Sequence, residues 1–597
     1  MPRHLTARSA AFALLIIASS QPAAAQHAPY RSLDDTFEAP HFTSPDDWNR
    51  RAAYLREHVL ESAGLLPMPE RTPLKPVIFG EVQHPDYTVS KVYFESLPGF
   101  FVAGNLYRPI GNGPFPAILS PHGHWPYGRL ENTPVVSVPG RAINLARQGF
   151  VVFTYDMIGY NDSRQLPHTF GGPRESLWGL SVAGLQLWNS IRGLDFLETL
   201  PYVRRDALGV TGESGGGTQT FLLAAADDRV AVAAPVNMIS LHMQGGDLCE
   251  NPPGLRLDTN NVEIAATIAP RPLLMVSATG DWTANTMESE YPAVRSLYSL
   301  LDAGNRVFGV RFEAEHNFNR DSREAMYAWM ARWLQHAPAD VRRPERPFTA
   351  DAPPDVLVFY QRPLPPEAIT AAQLTSAWID NAKRQLSTTP LETLGRALDH
   401  ALGFGQVTEE PPRQAGQTRQ TRQTRQTMQG RVPTVLFAAD DAGLERELRS
   451  AGFSLQPIEF TPFDADAASK IRHFDTYNRT AASQRVADIV AEMRAHPDAA
   501  LVASGDAALA GLFAAAIAPV RIAVLDVGTF DTSGDTDFLE RFYVPGLRRA
   551  GDFTTAARLA GDRIVIHNAG DRFMLTNIKR TKLSAREIAA LLRNSTR

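Results

Sequence analysis

The stretch from Leu208 to Ala226, LGVTGESGGGTQTFLLAAA, constrains the fold of this chain more than any other. It begins as a short β-type run, passes through a glycine-rich turn around Ser214, and ends as an apolar helical run rich in alanine and leucine. Gly212 and Gly216 flank the serine, and glycines there allow a sharp turn that lifts the hydroxyl clear of the sheet edge. A G-x-S-x-G pattern also arises by chance in β–α turns, but the strand before it and the helix after it predict that Ser214 is a nucleophile.

Apolar strand-like runs alternate with helical segments along the first half of the chain. The strand-like runs are 87–96, 102–110, 114–125, 149–160, 230–238, 271–281 and 306–316. This alternation predicts an α/β fold with a doubly wound, mainly parallel sheet. In such sheets the functional groups lie at the carboxyl ends of the strands.

Two of these strand ends carry the groups that a catalytic serine requires. Asp281 ends one apolar run and His316 ends the next. A serine hydroxyl needs an adjacent base, so we predict that His316 takes the proton of Ser214 and that Asp281 fixes the tautomer of the imidazole. The chain order serine, aspartate, histidine is that of the α/β hydrolases, and these three residues are predicted to form a catalytic triad.

Backbone N–H groups beside the nucleophile are predicted to bind the oxyanion of a tetrahedral intermediate. One belongs to Gly215, the residue after the nucleophile. The other is expected from the loop that holds His122, Gly123 and His124, where glycine lets the backbone approach the reacting atoms. The sequence leaves open which amide of this loop donates.

Three further residues are candidates for substrate binding. Trp125 and Trp282 adjoin the two catalytic loops, where indole rings stack on sugar rings or wall an acyl pocket, and packing in the core is the alternative interpretation. Glu250 lies in a loop rich in glycine and proline and is a candidate for the pocket rim. No metal or cofactor is predicted, because the histidines near the proposed site lack a metal-ligand spacing such as H-x-x-x-H on a helix.

The first half, from about residue 34 to 340, resembles the acetylxylan esterase and dienelactone-hydrolase-like branch of the α/β hydrolases. The matching motifs are PHGHW at 121–125, DMIGY at 156–160, GESGGGTQ at 212–219, APRPLLMVSATGDWT at 269–283 and EHNF at 315–318. Together these motifs are specific for the superfamily and much less specific for the substrate. The resemblance implies a serine esterase that hydrolyses carboxylic esters, with acetyl esters of plant polysaccharides or oligosaccharides as the leading substrates.

The alternatives to this function fall into two classes. Relatives of this kind also act on methyl esters, other carbohydrate esters or small lactones, and a serine peptidase would use the same catalytic residues. Nothing in the chain resembles the propeller or substrate-gating domain of such peptidases. An exported carbohydrate-binding protein without catalytic activity is the alternative of another class, and the intact triad argues against it.

The first 25 residues contain the three parts of an export signal in order. Arg3 and Arg8 are the positive segment, residues 10–18 (AAFALLIIA) are the apolar segment, and Ala23 to Ala25 offer a cleavage site. We therefore predict that residues 1–25 are a signal peptide and that the protein is periplasmic or secreted. No other apolar run approaches the length of a membrane span.

Composition excludes several other classes of protein. A chain of 597 residues is too long for one ordinary core, and its formal net charge of −5 is small for this length, so no basic surface indicates nucleic acid. Cys249 is the only cysteine, so an intrachain disulfide is impossible. A buried or indifferent thiol is favoured over a catalytic one. The oligomeric state is left open.

The second half repeats the first in outline. Residues 410–430 are polar and repetitive, and we predict that they form a connector or surface loop because they have no apolar periodicity and cannot bury a core. Beyond them, Ala507 stands where the repeated pattern places Ser214, and Asp571 stands where it places Asp281. No histidine follows Asp571.

The chain is thus predicted to contain two domains after the signal peptide. Residues 26–345 are predicted to be a catalytic α/β-hydrolase domain. Residues 346–597 are predicted to be a degenerate α/β-hydrolase-like domain with no hydrolytic activity of its own.

Overall fold

A computed structural model describes residues 30–404 and 432–595 of the chain. The predicted signal peptide at 1–25 and the predicted polar loop at 410–430 lie outside the described residues. Within the two described ranges, no helix has the length and apolar character that crossing a lipid bilayer requires.

The described residues form fourteen strands and a larger number of helices, most of which are short. The strands are β1 Val77–Gln83, β2 Tyr87–Leu97, β3 Phe100–Pro109, β4 Phe115–Ser120, β5 Val151–Tyr155, β6 Val203–Glu213, β7 Val230–Val236, β8 Leu273–Gly280, β9 Val307–Glu315, β10 Thr434–Ala438, β11 Ser454–Pro457, β12 Ala500–Ser504, β13 Ala523–Asp526 and β14 Ile564–His567. The α-helices before residue 404 are α1 Pro45–Ser62, α2 Val138–Arg147, α3 Pro173–Leu177, α4 Val182–Thr199, α5 Gly215–Ala226, α6 Asn261–Ala266, α7 Tyr291–Leu300, α8 Arg320–Leu334, α9 Pro353–Val356, α10 Ala371–Thr388 and α11 Leu391–Ala401. Those after residue 432 are α12 Ala442–Ser450, α13 Ala465–Ser469, α14 Phe474–Tyr477, α15 Ala481–Ala495, α16 Asp506–Ile517, α17 Thr536–Arg541, α18 Asp552–Ala560 and α19 Ala585–Asn594.

Strands β1 to β9 form one large sheet in the order β1-β2-β3-β5-β4-β6-β7-β8-β9. The neighbours from β5 to β9 are parallel, and β1, β2, β3 and β5 pair antiparallel. Successive residues of a strand point to opposite faces, so Ile118 joins the core beneath α2 and α8, whereas Leu119 joins the core beneath α4 and α5. Helices thus cover both faces of the sheet, and the predicted α/β-hydrolase fold is confirmed.

Strands β10 to β14 form a separate parallel sheet in the order β11-β10-β12-β13-β14. Five neighbouring strands of the first sheet have the equivalent strand order, β5-β4-β6-β7-β8. The strands of the second sheet are four or five residues long, and all their neighbours are parallel. The second half therefore repeats the central part of the first sheet at the level of topology.

The turn that corresponds to Ser214 in the second half is made by Gly505. Gly505 has φ 59° and ψ −135° between β12 and α16, and Ser214 has φ 55° and ψ −125° between β6 and α5. Both of the helices that follow are 12 residues long. The alignment that places Ala507 at this turn is therefore wrong by two residues, because Ala507 lies inside α16.

Residues after 345 pack against both halves of the chain. Leu374 and Trp378 of α10 belong to the core of the large sheet, and the Trp378 indole N–H donates to the carbonyl oxygen of Trp178 at 2.9 Å. Leu398 of α11 belongs to the core of the second sheet. The helices that follow the predicted boundary thus join the two cores.

A segment of the second half also contacts a loop of the first. The Tyr477 hydroxyl donates to Asn251 Oδ1 at 2.7 Å, and the Gly254 N–H donates to the Asp475 carbonyl oxygen at 2.7 Å. This loop follows β7 and contains Cys249 and Glu250. The second half therefore fixes a loop at the carboxyl edge of the large sheet.

Candidate active site

Ser214 forms the turn between β6 and α5. Its positive φ of 55° with ψ of −125° is a conformation that residues other than glycine rarely adopt. A side chain at Gly212 would lie 2.6 Å from the carbonyl oxygen of Pro121. A side chain at Gly216 would lie 2.8 Å from the carbonyl carbon of His122. Both glycines of the motif are thus required by the close approach of this turn to the loop after β4.

Asp281 and His316 form a hydrogen-bonded pair after β8 and β9. His316 Nδ1 donates to Asp281 Oδ2 at 2.8 Å. The second carboxylate oxygen, Oδ1, accepts the backbone N–H of Thr283 at 2.7 Å and the Thr283 hydroxyl at 2.5 Å. The Asp281 side chain is 2% exposed. The structure thus brings these two predicted residues together and favours the tautomer in which His316 Nε2 carries a lone pair.

The Nε2 atom of His316 is buried and has no hydrogen-bond partner among the described residues. In particular, no hydrogen bond joins it to the Ser214 hydroxyl within that part of the chain. Catalytic hydrogen bonds are often long in ligand-free structures and shorten when substrate binds. Across residues 30–404 and 432–595, no protein group therefore competes with Ser214 for the lone pair.

Two tryptophans flank the imidazole of His316. The ring centroid of Trp282 lies 4.4 Å from that of His316, and the ring centroid of Trp125 lies 5.9 Å from it. Both indole rings are half-buried. The two predicted substrate-binding tryptophans thus lie in the site, where they restrict rotation of the imidazole.

The loop after β4 uses some of its predicted oxyanion donors for its own structure. The Gly123 N–H donates to Glu213 Oε1 at 3.1 Å. His122 donates from Nδ1 to the Gly123 carbonyl oxygen at 2.7 Å and accepts the Met157 N–H at Nε2 at 3.0 Å. Burial lowers the pKa of His122 to about 3, so its ring is neutral. Neither the Gly123 amide nor the His122 ring is therefore free to bind an oxyanion.

Gly215 and His124 remain as candidates for the oxyanion donors. Gly215 begins α5, where a backbone N–H has no acceptor within the helix. A side chain at Gly215 would lie 2.4 Å from Cε1 of His124. The His124 ring therefore packs directly against the predicted oxyanion donor.

A buried ion pair lies next to the Ser214 turn. No motif in the sequence predicts it. Arg141 Nη1 is 2.5 Å from Glu213 Oε2, and both side chains are fully buried. Glu213 Oε1 also accepts the Trp125 indole N–H at 2.9 Å. The Arg141 guanidinium lies over the ring of Phe318, two residues after His316. One carboxylate thus connects the nucleophile turn, the loop after β4 and the neighbourhood of His316.

Glu250 is not at a pocket rim, and the prediction that it contacts substrate is wrong. Its side chain is buried, with Oε1 accepting the Thr218 hydroxyl at 3.1 Å. Oε2 accepts the N–H groups of Gly246 and Asp247 at 2.8 and 3.0 Å. The carboxylate therefore holds the loop after β7 onto α5.

Three side chains that bind metals in other proteins meet beside Gly215. The ligand atoms of His124, His168 and Cys249 all lie within 4.8 Å of one another. They come from the loops after β4, β5 and β7, and His124 is 44 and 125 positions from the other two. A search for short metal-binding motifs misses such a group, because its members are brought together only by the sheet.

The second sheet has a separate cavity at its carboxyl edge. The cavity measures about 310 Å³, and Ser504, Asp526, His567 and Lys582 contribute to its lining. His567 Nδ1 accepts the Leu583 N–H at 3.3 Å, and Asp526 Oδ1 accepts from Asn568 at 2.8 Å. These contacts do not repeat the aspartate–histidine pair of the first half.

Comparison with known proteins gives distant relatives that match part of the chain. No protein-family model matches the chain. The chain is 25% identical over 256 residues to YtaP of Bacillus subtilis strain 168, which is named provisionally as a hydrolase. This match covers 40% of the chain and 84% of YtaP.

The solved structures that resemble the chain include carbohydrate esterases. Methylesterase BT1017 is 28% identical with a TM-score of 0.47, and the match covers 58% of this chain and 78% of that one. An acetyl xylan esterase from Paenibacillus sp. R4 is 18% identical with a TM-score of 0.34, and the match covers 50% and 97% of the two chains.

Proposed function

We propose that this protein is a serine esterase that hydrolyses carboxylic esters with Ser214, His316 and Asp281. The observation that carries the proposal is the strained turn of Ser214 on the sheet whose next strands end in a hydrogen-bonded aspartate–histidine pair. Similarity to a provisionally named hydrolase supports it. Each of the three residues has a distinct role in the reaction.

In the first step, the Ser214 oxygen attacks the ester carbonyl carbon while His316 Nε2 takes the hydroxyl proton. The C–O bond to the alcohol then breaks, and the imidazolium returns the proton to the leaving alkoxide. Water repeats the sequence on the acyl-enzyme and releases the acid. Asp281 holds the imidazole in its tautomer and stabilises the imidazolium, and two hydrogen bonds from Thr283 position its carboxylate.

The oxyanion of each tetrahedral intermediate is assigned to two backbone N–H groups. Gly215 provides the first, because it begins α5 directly after the nucleophile. In the loop after β4, the Gly123 N–H is occupied by Glu213 and the Trp125 N–H by the Gly123 carbonyl oxygen. Of the remaining amides of this loop, we assign the second donor to that of His124, whose ring lies directly against Gly215.

Acetyl esters of plant polysaccharides or oligosaccharides are the proposed substrates. The motifs shared with acetylxylan esterases support this class, including GESGGGTQ at 212–219 and EHNF at 315–318. Two half-buried indole rings beside the base also favour a substrate that carries sugar rings. We further propose that the protein is exported, from the signal-peptide pattern of residues 1–25.

A fluorophosphonate probe tests the nucleophile directly. We expect one label per chain, at Ser214, and none in the Ser214→Ala variant. Ser504→Ala in the second half is the matched control and should label as the wild type does. Labelling that persists in Ser214→Ala, or moves to the second half, would refute the assignment.

An ester panel tests the substrate class. Acetylated xylan and acetylated oligosaccharides should be turned over, with methyl and feruloyl esters of the same sugars as comparisons. Ser214→Ala should reduce turnover by a factor on the order of 10⁶. Labelling of Ser214 combined with a preference for methyl esters would support the esterase proposal and contradict the proposal that acetyl esters are the substrates. Tight glycan binding without labelling or turnover would instead indicate a binding protein.

A further inference from the structure

His124, His168 and Cys249 present a nitrogen, a nitrogen and a sulfur atom to a common point. His124 Nε2 lies 3.1 Å from His168 Nε2 and 3.1 Å from Cys249 Sγ. The cysteine is buried, and the two histidines are partly exposed. All three ligand atoms lie within 4.8 Å of one another.

The surroundings of the two imidazoles suit metal binding through Nε2. His168 Nδ1 donates to the Ile158 carbonyl oxygen at 2.7 Å, so its Nε2 carries a lone pair. His124 Nδ1 lies 3.6 Å from Asp247 Oδ2, which is beyond hydrogen-bond distance. Metal-binding histidines commonly donate their other ring N–H to a carbonyl or carboxylate group, and His168 does so here.

Two of the three distances are close to those around a tetrahedral ion, and all three ligand atoms lie within 4.8 Å of one another. Zinc–nitrogen distances near 2.0 Å and a zinc–sulfur distance near 2.3 Å place the nitrogens about 3.3 Å apart and nitrogen and sulfur about 3.5 Å apart. The corresponding contacts of 3.1 Å are a few tenths of an ångström shorter. Small shifts of three loop side chains therefore suffice to admit the ion.

A hydrogen bond between the two histidines is the competing explanation. With the proton of His168 on Nδ1, one proton on His124 Nε2 has two acceptors at the same distance, the other nitrogen and the sulfur. The Cys249 thiol carries a second proton, so the hydrogen-bonded arrangement holds two protons among the three atoms. A cation at their centre would displace the thiol proton and bind all three atoms at once.

We propose that His124, His168 and Cys249 bind one divalent transition-metal ion of the zinc class. Two imidazoles and a thiolate are the donors that such ions prefer over Mg²⁺ or Ca²⁺. Glu250 is not a ligand, because Thr218 and two backbone N–H groups occupy its oxygens. Three protein ligands leave one position of a tetrahedral ion for water or another small ligand.

The proposed ion ties together the loops that follow β4, β5 and β7. His124 packs against Gly215, so the metal would also fix the loop that faces the nucleophile turn. This inference does not depend on the esterase proposal. Its test uses no ester, so either proposal can fail while the other stands.

Cobalt provides the direct test, because Co²⁺ bound by a thiolate absorbs in the near ultraviolet. The metal-stripped wild-type chain is titrated with Co²⁺ and then with Zn²⁺. We expect a thiolate-to-cobalt band that saturates at one equivalent and disappears when Zn²⁺ displaces the cobalt. Cys249 is the only cysteine of the chain, so this band identifies its sulfur without further assignment. Absence of the band at saturating Co²⁺ would overturn the proposal.

Variants then assign the histidine ligands. Cys249→Ser should remove the band, and His168→Asn should weaken Zn²⁺ affinity about tenfold or more. His41→Asn, which changes an exposed histidine far from the cluster in sequence, is the matched control and should bind as the wild type does. Circular dichroism shows whether each variant folds, and the wild-type band remains decisive if Cys249→Ser does not. Unchanged Zn²⁺ affinity in folded His168→Asn would overturn the three-ligand site.

Discussion

The buried ion pair behind the nucleophile turn gives the sharpest prediction about stability. Arg141→Met removes the guanidinium and leaves the Glu213 carboxylate fully buried. The arginine also donates to the Ser120 hydroxyl at 3.0 Å and to the Pro121 carbonyl oxygen at 3.1 Å. The substitution therefore affects the strand that leads into the oxyanion loop as well as the pair itself.

The size of the effect follows from the geometry of the pair. At the 2.5 Å between Nη1 and Oε2, two unit charges attract by about 7 kcal/mol at an effective dielectric constant of about 20. Desolvation of both ions offsets much of this, but removal of one partner leaves an unpaired buried charge. We expect Arg141→Met to lower the free energy of unfolding by about 3–5 kcal/mol.

The double variant Arg141→Met, Glu213→Gln is the matched control. Its neutral amide oxygen still accepts the N–H of Gly123 and the indole N–H of Trp125, so no charge is left buried. We expect it to recover most of the loss, to within about 1–2 kcal/mol of the wild type. The two single variants and the double variant form a double-mutant cycle that measures the coupling.

Tryptophan fluorescence during urea unfolding is the appropriate measurement. All eight tryptophans lie at or before Trp378, so this signal reports the first core rather than the second. Circular dichroism followed in parallel reveals whether the halves unfold separately, in which case only the fluorescence transition is compared. A loss below about 1 kcal/mol in Arg141→Met, or additive losses in the double variant, would refute the role of the pair.

Three further predictions concern the catalytic aspartate, a buried carboxyl group and the second turn. Thr283→Val removes the hydroxyl that donates to Asp281. It should lower kcat/KM for an aryl acetate by about 10- to 100-fold, because a hydrogen bond to a charged group contributes about 1.5–3 kcal/mol, and an unchanged value would show that Thr283 does not support the proposed triad. Burial raises the pKa of Glu61 to about 8 from the usual 4.5, so its contribution to stability is complete below pH 4.5 and is lost as the pH rises to 8. That contribution is about 4–5 kcal/mol, and Glu61→Gln should abolish the corresponding fall in urea unfolding free energy between pH 5 and 8. Gly505→Ser in a Ser214→Ala background should restore no fluorophosphonate labelling, because residues 432–595 contain no hydrogen-bonded aspartate–histidine pair like that of the first half at the second sheet.

The sequence alone determined the order of strands and helices in the first half, the turn at Ser214 and the pairing of Asp281 with His316. Such features are local, because a glycine-flanked serine between a strand and a helix defines its own turn, and residues at consecutive strand ends share one edge of a parallel sheet. The same local reasoning placed Ala507 at the second turn. It failed there because residue spacing cannot reveal a shift of two residues in where a strand ends.

Only the tertiary structure decided how side chains from separate loops are used. Glu250 lies in a loop rich in glycine and proline, which suggested a position at the pocket rim. In the fold its carboxylate holds this loop on α5. The Gly123 amide is taken by Glu213, and His124, His168 and Cys249 meet across three loops. These contacts join residues with no regular spacing along the chain. They depend on how neighbouring strands bring their loops together, which periodicity within any one segment does not encode.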